Sequence, residues 1–165
     1  MLVDDSAVVR GMLDRALNAD PALEVVASAG NGEVAIATLK KTPIDIIILD
    51  VEMPVMDGIT ALSELLKVSP KTKVIMSSTL TQRNAEISMR ALQLGAADYI
   101  PKPMGKDQAE LGDFYRALIE KIKSLAPRPA GMAAFSPAAK PAFSAGSPNL
   151  SGVGSPIPVP KVMVR

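Results

Sequence analysis

Apolar residues gather along this chain in short runs, and between the runs they recur every third or fourth position. Runs at residues 1–3, 23–29, 46–49 and 73–78, and one ending at Tyr99 and Ile100, predict five strands. Val9, Leu13, Ala16 and Leu17 share one face of a helix that Ser6 can cap and that closes near Asn18, ahead of Pro21. Val34, Ala35, Thr38 and Leu39 mark a second helix, opened by Asn31-Gly32 and broken by Pro43. Ala61, Leu62, Leu65 and Leu66 mark a third, behind a loop carrying Pro54 and Gly58. Residues 84–94 form a fourth, stopped by Gly95, and residues 109–125 a fifth. Five aliphatic strands alternating with five helices predict an α/β fold, a parallel sheet covered on both faces.

The pattern stops at Pro127. Eight of the 14 prolines lie from that point on, among Ala, Ser and Gly, so residues 126–156 read as a disordered linker. An apolar run over 157–165 resembles the first strand of a further domain, cut short. The tail holds four basic residues and no acidic ones, whereas the first 126 residues hold 14 basic against 17 acidic. A formal net charge of +1 gives no reason to expect nucleic acid as a partner. No apolar run approaches a membrane span and there is no signal-peptide pattern, so a soluble, cytoplasmic protein is expected, without membrane insertion. Cysteine and histidine are both absent, which excludes thiolate or imidazole metal sites and any Ser-His-Asp or Cys-His catalytic group on this chain.

The candidate chemistry sits where the strands end. Ile46, Ile47, Ile48 and Leu49 run straight into Asp50, and a carboxylate there costs several kcal/mol to desolvate unless compensated. The first strand delivers Asp4 and Asp5, the fourth Ser77 and Ser78, and the fifth Tyr99 with Lys102 just beyond. Sites in open parallel sheets form at these carboxyl ends. If the first and third strands are neighbours, three carboxylates converge. Two unit charges about 4 Å apart repel by roughly 4 kcal/mol at an effective dielectric near 20, so the cluster calls for a cation. A hard divalent ion suits an all-oxygen site, and Mg²⁺ where phosphate is handled. Ser77 and Lys102 then supply two donors to a phosphoryl group, and Asp50 a nucleophile. Taken singly, each residue has a plain structural reading: Asp4-Asp5-Ser6 as a helix cap, Asp50 as a strand-end cap, Tyr99 as packing.

"VDDS", "ILDVEMPVMDG", "VIMSS" and "DYIPKP", in this order at strand ends, resemble the response-regulator receiver domain over residues 1–125. The resemblance implies a flavodoxin-like, doubly wound sheet of order 2-1-3-4-5. It implies phosphorylation of Asp50 by a sensor histidine kinase, and Mg²⁺ held by Asp5, Asp50 and the backbone carbonyl of Glu52, with Asp4 completing the acidic pocket. Ser77, with Ser78 beside it, would be the switch hydroxyl and Tyr99 the switch aromatic. Lys102 would bridge to the phosphoryl group, with a cis bond before Pro103. The stretch from Thr79 to Arg90, with Arg83, Glu86 and Arg90, would belong to the surface that docks an output domain.

The same segments, the double serine and the Pro/Ala/Ser linker are similar to the regulatory half of the chemotaxis protein-glutamate methylesterases. That similarity implies a C-terminal methylesterase domain and chemoreceptors as partners, and a catalytic triad that this chain does not carry. The first strand is also shorter than the family's. Two alternatives stay open from the residues: a free-standing receiver, or a Mg²⁺-dependent phosphohydrolase with an aspartyl nucleophile, whose usual second aspartate is here Glu52.

Overall fold

Strand follows helix without exception from Leu2 to Leu125. The order is β1 (Leu2–Val3), α1 (Ala7–Asn18), β2 (Ser28–Ala29), α2 (Gly32–Leu39), β3 (Ile46–Asp50), α3 (Gly58–Val68), β4 (Lys73–Thr79), α4 (Gln82–Gln93), β5 (Asp98–Lys102) and α5 (Gln108–Leu125). The computed structural model describes residues 1–79, 82–103 and 107–126. The expected linker past Ala126, the apolar run at 157–165 and the Arg83 side chain lie outside the described residues.

All strands are parallel, in the order β2-β1-β3-β4-β5. Side chains alternate between the faces of a strand, so each strand feeds two cores. Leu2, Ile48, Ile75 and Ile100 join Leu13 and Leu17 of α1 and Leu118 and Ile122 of α5. Val3, Leu49 and Met76 join Ala35, Leu62 and Ala91 from α2, α3 and α4 on the other face. With both faces dry, β3 is buried at every position, which is why it reads as an unbroken aliphatic run.

Caps set the helix starts. Ser6, Asn31, Asp57 and Asp107 accept from backbone N–H groups of α1, α2, α3 and α5. Gly95 closes α4 with φ at 107°. Gly58 is required for a different reason: a Cβ there would lie 2.3 Å from the Asp50 carbonyl oxygen and 2.8 Å from Val51 Cα. Only a bare backbone lets α3 start this close to the end of β3.

The second strand is shorter than the apolar run at 23–29 suggests. β2 pairs only with what β1 offers, Leu2 to Ser28 and Val3 to Ala29. Upstream, the Leu23 and Val25 N–H groups are taken by the Asp20 carbonyl and the Asn18 side chain. β5, by contrast, runs on past Ile100 through Pro101, which a strand with one free edge tolerates.

Candidate functional site

Four strands deliver one polar side chain each to the same corner, and alternation is the cause. Asp4, Asp50, Ser77 and Lys102 each stand two residues beyond a member of the α1/α5 core: Leu2, Ile48, Ile75 and Ile100. Each therefore points to that same face, at the carboxyl edge of the sheet. Asp50 and Ser77 are register partners.

Lys102 Nζ lies 2.8 Å from Asp4 Oδ2 and 2.8 Å from Asp50 Oδ2. The other oxygen of each carboxylate is held by backbone: Asp4 Oδ1 accepts from Ser6 N–H at 2.9 Å, and Asp50 Oδ1 from Glu52 N–H at 3.3 Å. Asp4 and Asp50 are buried and Asp5 is exposed. One carboxylate oxygen from each of the three lies within 4.8 Å of the others. One ammonium against three carboxylates leaves a local excess of negative charge. Burial pushes the Asp50 carboxyl above its ordinary value; Lys102 opposes the shift and Asp4 adds to it. Burial also works against the charge on Lys102, but the hydrogen bonds it donates to Asp4 and Asp50 outweigh it and hold the amine above its usual value. A group of hard oxygen ligands short of positive charge fits a divalent cation such as Mg²⁺.

Ser77 Oγ is buried and has no hydrogen-bond partner among the described residues. A hydroxyl left open at such a point is a group waiting for a ligand atom. Ser78, one residue on, faces the opposite side, where its Oγ is 3.4 Å from Ser88 Oγ of α4. Tyr99 also points away from the acid cluster, and 42% of it is exposed. The expected cis bond before Pro103 is not found, since no described peptide bond is cis. The trans form is intrinsically preferred for X-Pro, and with it Lys102 already reaches both carboxylates.

Two contributors are absent from the sequence reading. Arg10 of α1 donates from Nη1 to the Asp4 carbonyl at 2.5 Å, pinning the turn that carries the acids. Ser88 is buried in α4. A polar residue at a helical position facing Ala91's side of the sheet could have flagged it; nothing marks Arg10.

A doubly wound sheet with two acids after β1, an aspartate ending β3 and a lysine at β5 defines a class, the receiver domains. The family model for the response regulator receiver domain matches residues 1–111, and the chain belongs to that family. Within it, the resemblance is to the regulatory part of the chemotaxis methylesterase CheB. The response regulator domain of Thermotoga maritima CheB superposes with a TM-score of 0.68 at 38% identity, over 75% of this chain and 92% of that one. The protein-glutamate methylesterase/protein-glutamine glutaminase of the group 2 operon of Rhodospirillum centenum is 50% identical over 96% of this chain. This chain spans 41% of that relative's length. A Borrelia burgdorferi structure, of a complex of CheX, CheY, BeF₃ and Mg²⁺, matches with a TM-score of 0.63 at 28% identity, over 75% of this chain and 85% of that one.

Proposed function

We propose that this domain is a phosphorylation switch in which Asp50 accepts a phosphoryl group from a phosphohistidine of a chemotaxis sensor kinase. The observation that carries the reading is Lys102 bridging Asp4 and Asp50 at 2.8 Å, with the Ser77 hydroxyl open beside them. A carboxylate oxygen of Asp50 attacks phosphorus, the bond from phosphorus to the histidine nitrogen breaks, and the imidazole leaves and takes up a proton. The product is a mixed anhydride on Asp50.

Asp5, Asp50 and the Glu52 carbonyl would hold Mg²⁺, with Asp4 as the pocket's further acid; the ion neutralises charge on the phosphoryl oxygens. The Borrelia complex supports that assignment, since it pairs the same fold with Mg²⁺ and BeF₃. Lys102 transfers one of its hydrogen bonds from Asp50 to a phosphoryl oxygen, and Ser77 donates to another. Re-packing of Ser77, Ser78 and Tyr99 then shifts the population between two packings of β4, β5 and α4.

In a longer protein, with residues 1–125 as the receiver, 126–156 as the linker and 157–165 as the start of the next domain, this shift would control a protein-glutamate methylesterase acting on chemoreceptors in the cytoplasm. The Rhodospirillum relative, more than twice as long, supports that arrangement. Among the described residues no helix is long and apolar enough to cross a membrane.

Incubating the purified chain with Mg²⁺ and a small acyl phosphate tests the proposal. One phosphoryl group per chain, on Asp50, slowly lost and absent from Asp50→Asn, is the expected result. Repeated turnover of assorted phosphate esters, or a phosphoryl group on another residue, would overturn it.

A further inference from the structure

Between α1 and α5, a cavity of about 150 Å³ opens beside the acid cluster. Its walls are apolar: Val9, Met12, Leu13, Leu111, Phe114 and Tyr115. Phe114 and Tyr115 stand with ring centroids 5.6 Å apart. Ser77, Lys102 and Pro103 form its inner end.

The lining defines what fits. Ser77 is 2% exposed and its hydroxyl is unpartnered among the described residues, so a ligand atom that reaches it from the cavity gains one hydrogen bond, and little else in the lining is polar. Lys102 also faces it, but that amine is already engaged by Asp4 and Asp50. An anion entering here meets the two carboxylates behind Lys102, and a cation meets Lys102 itself. Uncharged molecules avoid both penalties. An apolar cavity of roughly 150 Å³ accommodates about one benzene ring. A ring placed here exchanges water for aliphatic and aromatic contacts, and a single hydroxyl on it satisfies Ser77.

We infer that the α1/α5 cavity binds an uncharged, ring-sized molecule with one hydrogen-bonding group, a phenol or an aryl alcohol, anchored on Ser77. Such a ligand occupies the hydroxyl that the proposed acceptor mechanism needs, so it slows phosphorylation of Asp50; this consequence rests on that mechanism, whereas the binding does not.

Phenol is the probe, and methionine-methyl NMR of the full chain is the readout. Met12 lines the cavity, while Met89 lies 58% exposed on α4 and serves as the internal control. The Met12 methyl is expected to shift and saturate at millimolar phenol while Met89 stays put. Leu111→Trp, at a half-buried helix position, fills the cavity and abolishes the shift. Ser77→Ala weakens phenol binding several-fold, to the level of toluene. An unmoved Met12 overturns the site, as does a shift that survives Leu111→Trp or that Met89 shares. At saturating phenol, phosphorylation by an acyl phosphate slows several-fold. Unchanged phosphorylation with a saturated Met12 overturns the competition for Ser77. Absence of phosphorylation even without phenol counts against the acceptor reading and leaves the Met12 result to decide the cavity.

Discussion

Lys102 and Asp50 form an ion pair at 2.8 Å across the ends of β5 and β3, strands separated by the whole of β4. The lysine side chain spans that gap because both residues emerge on one face, and the intervening Ser77 is small. The same amine also holds Asp4, so two buried carboxylates depend on one cation. Removing one partner of a buried pair leaves an uncompensated charge, which costs about 3 to 5 kcal/mol. Lys102 is 17% exposed at its side chain, so the lower end of that range applies. Lys102→Met is expected to lose about 3 kcal/mol at neutral pH, measured by urea unfolding. The amine's folded value lies above its ordinary 10.5, so its contribution is complete below that value and disappears only as pH rises through the folded one.

Asp50 behaves in the opposite sense. Its folded carboxyl titrates above the ordinary 3.8, because burial disfavours the charge more than Lys102 favours it. The folded state therefore holds its proton more tightly than the unfolded chain. The domain loses stability as pH rises from the unfolded value through the folded one, and the penalty stays constant above that. Asp50→Asn keeps the shape and removes the penalty, with the lost attraction to Lys102 offsetting part of the gain. It should be more stable at pH 7 by on the order of 1 kcal/mol, a difference that vanishes in acid below the ordinary carboxylate range. Equal urea midpoints for the two proteins at pH 7 would contradict this.

Loop geometry yields a paired prediction. Gly58→Ala forces a Cβ onto the backbone of Asp50 and Val51, so the start of α3 must move, at a cost of about 3 kcal/mol or more. Val55, three residues earlier, is β-branched, 83% exposed and held at φ 72°. Val55→Asn relieves that strain and should stabilise by about 1 kcal/mol. Calorimetry of the two variants should give shifts of opposite sign.

Much of this domain was legible before folding was considered. Caps such as Ser6 and Asn31 act within one turn, so the residues that do the work lie beside those they serve. The aliphatic run ending at Asp50 marked a strand buried on both faces with a charge at its tip. The length of β2 was not legible, because a strand ends where its partner does, and that partner is β1. Nor was the facing of the two serines: Ser77 opens toward the acids and Ser78 toward Ser88 of α4, a distinction that depends on which core Ile75 and Met76 enter.

The chain's own order of residues thus determined the elements, their alternation, and the residue types that would stand at strand ends, because those follow from periodicity and local hydrogen bonding. Only tertiary structure decided that Asp4, Asp50 and Lys102 meet, that Tyr99 faces away and that Arg10 pins the Asp4 turn. Those outcomes depend on strand order and on the face each side chain enters, and both are set by the packing of two cores against one sheet.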